Sequence, residues 1–334
     1  MPPEKPPMLA KVAKSREMRT LILVILVFAI AAFKEPRLLS ASSISSILLW
    51  IPLLTVMAVG QMLVIVTRGI DVSVGSMLGL SGMLTGMLFR AHPDLNLALG
   101  AGASLGIGAV LGLINGGLIA WAKIPPIITT LGTLSVYRGL TFIVSGGHQI
   151  DSNNIPSALT EWSLRGPVTI GGVTLPWLLV FALLAVGLGY FLTNKTVLGR
   201  NLYAIGSRPE AAHLRGVPVG KSVFACYVIC GALAGFAGLL YASRYGFVNP
   251  ATAGSGMELT VIAATVIGGC DVKGGSGSVG GVLLGCILLG VVNVALAVLG
   301  VAADWQVLVY GSVILIALGL DAFASRRQAK EVAA

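Results

Sequence analysis

A polar, basic block, Asn194–Lys221, separates two strongly apolar stretches and carries side chains that a water-soluble partner could read. Within it Ser207 is a helix-capping residue, Pro209 suits a first turn and Glu210 favours the positive end of a helix. Ala211, Ala212, His213, Leu214 and Arg215 continue the turn, and Gly216 with Pro218 stops it. The pattern predicts a short helix with a small-residue face, flanked by Arg208 and Arg215. Its chemistry is docking: alanines let a helix seat in a groove, and arginines fix its register. A solvated loop is the competing reading.

A second constellation runs from Thr67 to Ser76 and reads as a turn at the inner face. Asp71 and Ser73 can cap the helix that follows, and Gly69 permits a tight entry. Gly75 follows in the helix, and Arg68 and Asp71 are close enough in sequence to pair. Structural capping competes here with a gating role. Residues 268–277 have the composition of a phosphate loop but lack the ordered Gly-x4-Gly-Lys-Ser/Thr pattern, so a compact turn is the better reading. Arg138 lies about 16 Å into an apolar run that begins at Ile127, counting helical rise. A charge at that depth is costly and marks a functional site by default. Glu258 is its candidate partner. Asn115, Asn293, Gln61, Thr129, Thr130 and Thr133 are uncharged polar groups inside apolar runs, where bonding between helices is the common use. Asn115, Thr130, Arg138, Glu258 and Asn293 are the candidates for lining a path.

No catalytic constellation is visible. The carboxylates are scattered, and His92, His148 and His213 fall in three different loops. Cys226, Cys230, Cys270 and Cys286 lie in or beside apolar runs without Cys-x-x-Cys spacing, and read as packing residues rather than metal ligands or disulfides.

The elements that must position these residues are membrane spans. The chain is 56% hydrophobic and 10% charged, with mean hydropathy +0.92, against about 25% charge in soluble domains. Its 44 glycines predict close helix–helix approach. Spans of about 20 apolar residues are expected at Thr20–Phe33, Ile44–Thr67, Val74–Phe89, Leu97–Ala122, Ile127–Ser145, Leu175–Thr193, Ser222–Ser243, Met257–Gly269, Val279–Gly300 and Val307–Phe323. That makes an all-α protein of about ten transmembrane helices. The eighth is short enough to be broken or re-entrant. Residues 1–19 and 324–334 form cytoplasmic ends, and 20–323 the membrane domain, with a cytoplasmic loop at 194–221 and an outer loop at 146–174. The first span reads as retained rather than as a cleaved signal. Gly108 and Gly112 before Asn115, and Gly281 and Gly285 before Asn293, are a weak internal echo.

With both termini in the cytoplasm, sixteen of the 22 Lys and Arg fall inside, five outside and Arg138 within a span. This is the positive-inside bias. It accounts for the formal charge of +9 by membrane orientation, and no aromatic-interleaved basic stripe points to nucleic acid.

Four ordered segments resemble the ribose-type permeases of bacterial ATP-binding-cassette importers. Thr67–Ser76 looks like that family's Gly-Ile-Asp-Leu-Ser-Val-Gly-Ser signature. Lys123–Thr133 with Tyr137-Arg138-Gly139 looks like its fifth-span entry, Gly199–Pro218 like its long cytosolic loop, and Gly254–Leu259 through Gly277 like its late block. The resemblance covers roughly Ile44 to Phe323. It implies that Arg208–Gly216 is the coupling helix that receives the motion of a cytoplasmic ATP-binding subunit. It also implies that a periplasmic solute-binding protein delivers a monosaccharide or sugar-like molecule, and that two permease chains, identical or paralogous, pair around the path. ATP and Mg then belong to the partner, and this chain needs no cofactor. Cys270-Asp271-Val272-Lys273 departs from the family's more often uncharged turn. Thr67-Arg68 in place of Gly-Gly leans towards autoinducer-2 or rhamnose relatives. A branched-chain amino-acid permease and a self-contained secondary transporter are the rivals.

Overall fold

The computed structural model describes residues 16–302, together with 305, 308, 311, 312, 315 and 319. Most of the expected tenth span, the 324–334 tail and the first fifteen residues lie outside the described residues. In chain order the helices are α1 (Arg16–Lys34), α2 (Ala41–Val66), α3 (Val74–Ala91), α4 (Leu97–Ala120), α5 (Pro126–Ser145), α6 (Ser157–Leu164), α7 (Trp177–Lys195), α8 (Val197–Ser207), α9 (Pro209–Leu214), α10 (Val219–Tyr245), α11 (Met257–Ile267) and α12 (Val279–Val298). Among the described residues six of them, α2, α4, α5, α7, α10 and α12, are long and apolar enough to cross a membrane.

The fold is mostly helical but not purely so. The outer loop holds α6 and a hairpin, β1 (Val168–Ile170) against β2 (Val173–Leu175), turned by Gly171 and Gly172 at φ 56° and 82°. Two successive residues at positive φ suit a tight hairpin turn. This cap is fastened to the bundle. Ser163 donates to the Ser243 carbonyl (3.0 Å), Ser243 to that of Leu159 (2.7 Å), and Ile150 pairs with Val248.

The core is α2, which is buried on nearly every side from Ile51 to Val66, with α10 against it. Glycines let the backbones meet. Gly108 and Gly112 of α4 abut Gly231 and Gly235 of α10, so that a Cβ on any of the four would collide with the opposite backbone. Gly281 and Gly285 of α12 press likewise on Gly268 and on the Ala264 carbonyl at the end of α11. Both glycine pairs of the weak echo are helix contacts of the small-xxx-small kind.

These contacts also set depth. Gly82 of α3 lies against Gly238 of α10, and the two helices run the same way. Counting back eight residues puts Val74 level with Cys230, about 16 Å above the first residue of α10. The Thr67–Ser76 connection therefore climbs from the inner end of α2 into the bundle, where a turn confined to the inner face was expected. Gly254 abuts Gly75, so α11 also begins at that level. Its 11 residues, about 16 Å long, then run inward. The segment expected as a short eighth span is thus an 11-residue helix preceded by a loop that enters the bundle from the end opposite the start of α10.

Candidate functional site

This architecture gathers the candidate side chains into three groups. The first knits the inner face. Arg68 sits at φ 68°, a left-handed conformation uncommon for a residue with a side chain. From there its Nε donates to the Gly206 carbonyl (2.6 Å) and its Nη2 to that of Ser207 (2.7 Å), at the end of α8. A guanidinium on the last carbonyls of a helix satisfies groups that have no intrahelical donor. Gly275 N–H donates to the Val66 carbonyl (2.9 Å) and Tyr203 Oη to that of Gly277 (2.9 Å). The end of α2, the end of α8 and the Gly268–Gly277 turn thus form one knot, with α9 projecting just beyond it. The expected Arg68–Asp71 pair does not form, because Arg68 turns to α8 and Asp71 is wholly buried.

Within α9, Ala212 is buried against its own chain and Ala211 half-buried, whereas Arg208, Glu210, His213, Arg215 and Gly216 are exposed. Leu214 is 86% exposed, and unlike the exposed apolar residues of the long helices it stands on a short polar helix among charged neighbours. The small face therefore seats the helix on this chain, and Leu214 with the charged residues faces outward. Ser207 does not cap α9: it closes α8, and Arg208 is the N-cap residue. Two helices packed end to end leave no separate cap position for Ser207. Pro209 takes the first turn, as its fixed φ suits.

The second group surrounds the start of α3. Asp71 accepts from Ser73 N–H (2.9 Å), Ser73 Oγ (2.6 Å) and Asn115 Nδ2 (3.3 Å), and Asn115 Nδ2 also reaches Ser73 Oγ (2.9 Å). Tyr137 Oη donates to the Leu111 carbonyl (2.9 Å) and lies 3.3 Å from Asn115 Oδ1. With its amide turned to satisfy both groups, Gln61 bridges the backbone N–H and carbonyl of Asp71 at 3.1 and 3.2 Å. Thr130 Oγ1 ties α5 to the same connection through the Ile70 carbonyl (3.2 Å). Asp71, Ser73, Asn115 and Thr130 are fully buried. A buried polar network of this kind rigidifies its surroundings when every member is satisfied. Asp71 caps Ser73 rather than the helix itself, since Ser73 takes the N-cap position without a side-chain cap bond.

The third group surrounds the start of α11. Arg138 Nη1 donates to the Ala253 carbonyl (2.7 Å). Among the described residues the ion pairs are Arg37–Glu35 and Arg165–Glu161, and Arg138–Glu258 is not one of them. Glu258 Oε1 accepts from Gly256 N–H (3.3 Å), while its buried Oε2 has no partner and points at Gly75 in the first turn of α3. The carboxylate thus sits between two helix N-termini, each carrying partial positive charge. Thr252, Ser255 and Gly256 beside it are exposed. Asn293 lies apart on α12, half-buried.

A bundle of apolar helices, six of them among the described residues long enough to cross a membrane, whose interior holds two facing helix starts, is the architecture of a polytopic membrane protein. The chain belongs to the family described as branched-chain amino acid transport system / permease component, whose pattern matches residues 43–318. Among its relatives is the autoinducer 2 import system permease protein LsrC of Escherichia coli, 35% identical over 314 residues, which are 94% of this chain and 89% of the relative. The protein of that name from Photorhabdus luminescens is 35% identical over 94% of this chain and 92% of its own length. That from Salmonella paratyphi A is 36% identical over 94% and 88%. No solved structure gives a significant match. The chain is a multi-pass permease subunit of an import system, placed in the inner membrane.

Proposed function

We propose that the chain forms the solute path of an ATP-driven importer for a small sugar-like molecule of the autoinducer-2, ribose or rhamnose class. The relatives named for autoinducer 2 import favour that class over branched-chain amino acids. The chain crosses the membrane ten times with both termini in the cytoplasm, as the charge distribution favours. A cytoplasmic subunit that binds ATP and Mg docks on α9, a periplasmic binding protein delivers solute to the outer cap, and a second permease chain completes the path.

The observation that carries the coupling role is the exposed Leu214 on a short helix anchored to the Arg68 knot. Motion imposed on α9 passes through Gly206 and Ser207 to Arg68, and from there into the connection that ends at α3. A bias between inward and outward states then needs only differential docking in the two nucleotide states. Leu214→Glu should leave the permease folded and abolish co-purification of the ATP-binding subunit, with uptake of labelled autoinducer 2 falling in parallel. Unchanged co-purification and uptake would remove α9 from this role.

A further inference from the structure

Between α2, the outer end of α10, the inward-dipping loop and the first turn of α11 lies a cavity of about 240 Å³. Trp50, Tyr241, Tyr245 and Phe247 supply rings to its wall, and Ser255 and Thr260 supply hydroxyls. It is small beside the roughly 300–1,000 Å³ of pockets for drug-sized ligands, and so is sized for one small ring. Trp50 lies ten residues outward of Gly60, which touches Cys230, so the aromatic wall is level with Tyr241, about 6 Å below the end of α10, and the cavity runs from there down to the start of α11.

Tyrosine and tryptophan at such a level often form a belt that faces lipid headgroups. Here the rings turn towards one another. Tyr241 and Tyr245 have centroids 4.4 Å apart and Tyr245 and Phe247 6.3 Å; Tyr241 is buried at 8% exposure, while Tyr245 and Phe247 keep an exposed side as well. Arg244 holds the cluster: its guanidinium lies 5.0 Å over the Tyr245 ring while Nη1 donates to the Leu49 carbonyl (3.0 Å). The hydroxyl side has a different character. Thr252 and Ser255 are exposed inside the depth of the bundle, where a polar group facing hydrocarbon would be costly.

We infer that this cavity is a solute-contact site of the path, binding a polyhydroxylated ring with its C–H face on the aromatic wall and its hydroxyls on Ser255 and Thr260. Flat rings cover the apolar face of such a molecule, and donor–acceptor hydroxyls suit its edge. This rests on the sugar-class reading above. It is separate from the Asp71 network, whose groups are already satisfied and sealed.

The test uses the assembled importer in lipid nanodiscs carrying Ser255→Cys. The four native cysteines are buried, so the new thiol dominates reaction with N-ethylmaleimide. Saturating autoinducer 2, ribose or rhamnose should slow modification about fivefold or more, as occupancy requires. A control cysteine at Thr169 on the outer hairpin should be unaffected. Adding Tyr245→Ala should abolish the protection while the ATP-binding subunit still co-purifies. If the wild-type importer takes up one of these sugars but none of them protects Ser255→Cys, the cavity is not a contact site. Protection by leucine instead would overturn the ring chemistry. Failure to import any of the three sugars would sink the sugar-class reading itself, and this inference with it.

Discussion

Two helices begin at one level inside this bundle, and their starts are built in opposite ways. At α3 the Asp71 network is buried and its members bond one another: Asp71 to Ser73 and Asn115, Asn115 to Tyr137, and Gln61 to the Asp71 backbone, with the Tyr227 hydroxyl beside it left without a partner. At α11 the flanking residues Thr252, Ser255 and Gly256 are exposed, Glu258 keeps one oxygen without a partner, and a cavity opens alongside. Breaking a helix inside a membrane frees backbone groups that must be satisfied by protein or by a water-lined cavity. One start uses the first solution and the other the second. The sealed start acts as a fixed post for the fold, and the open start is where solute and solvent can meet the chain.

The sharpest way to break this contrast is to damage the post. Asp71→Leu leaves Ser73 and Asn115 donors buried without their acceptor, a loss of about 1–3 kcal/mol for each donor left unpaired. The thermal midpoint, followed by unmasking of the four buried cysteines to a thiol-reactive dye, should fall steeply. An unchanged midpoint would mean that the network is ornamental.

At the open start the effect should fall on transport. Arg138→Met removes the donor to the Ala253 carbonyl and should reduce uptake on the order of tenfold, which is about 1.4 kcal/mol, without loss of the ATP-binding subunit. Arg138→Lys keeps the charge but loses the planar fork, and should lie between. Because Arg138 bonds a carbonyl and makes no ion pair with Glu258, although their charges attract at the same helix start, combining Arg138→Met with Glu258→Gln should show only a small coupling, of about 0.5–1 kcal/mol. Strong rescue in the double variant would show that the two pair in another state of the path.

The inner knot should give the smallest change in stability and a selective change in coupling. Arg68→Gly relieves a strained left-handed residue, a cost of about 1–3 kcal/mol, while losing two bonds to α8. These terms oppose each other, so the thermal midpoint should barely move. The ratio of solute imported to ATP hydrolysed should fall about threefold if the knot transmits motion, a shift inside the usual range of coupling energies. An unchanged ratio would assign Arg68 to packing alone.

Much of this was legible in the chain. Six of the expected spans coincide with helices long and apolar enough to cross a membrane, and the Gly108–Gly112 and Gly281–Gly285 repeats marked helix contacts that the structure contains. The depth of the two helix starts was not legible, because it depends on the register of Gly82 against Gly238, far apart in sequence. The Arg68 latch likewise joins residues 138 and 139 positions apart, and neither local spacing nor charge pattern could name its partners. The β1–β2 hairpin did carry a local signal, Gly171-Gly172 between two Val-Thr-aliphatic runs. Ala212 and Leu214 exchanged roles for a similar reason: a six-residue helix is too short for periodicity to say which side meets its own chain.

The most direct test compares the two starts by their access to water. Single cysteines placed at Ser73 and Ser255 in the assembled importer, treated with a small charged thiol reagent, should react very differently. The account predicts rapid modification at position 255, with a rate that changes when ATP is added, and almost none at position 73 until the protein unfolds. Equal reactivity at the two positions, or a sealed 255 in every nucleotide state, would contradict it.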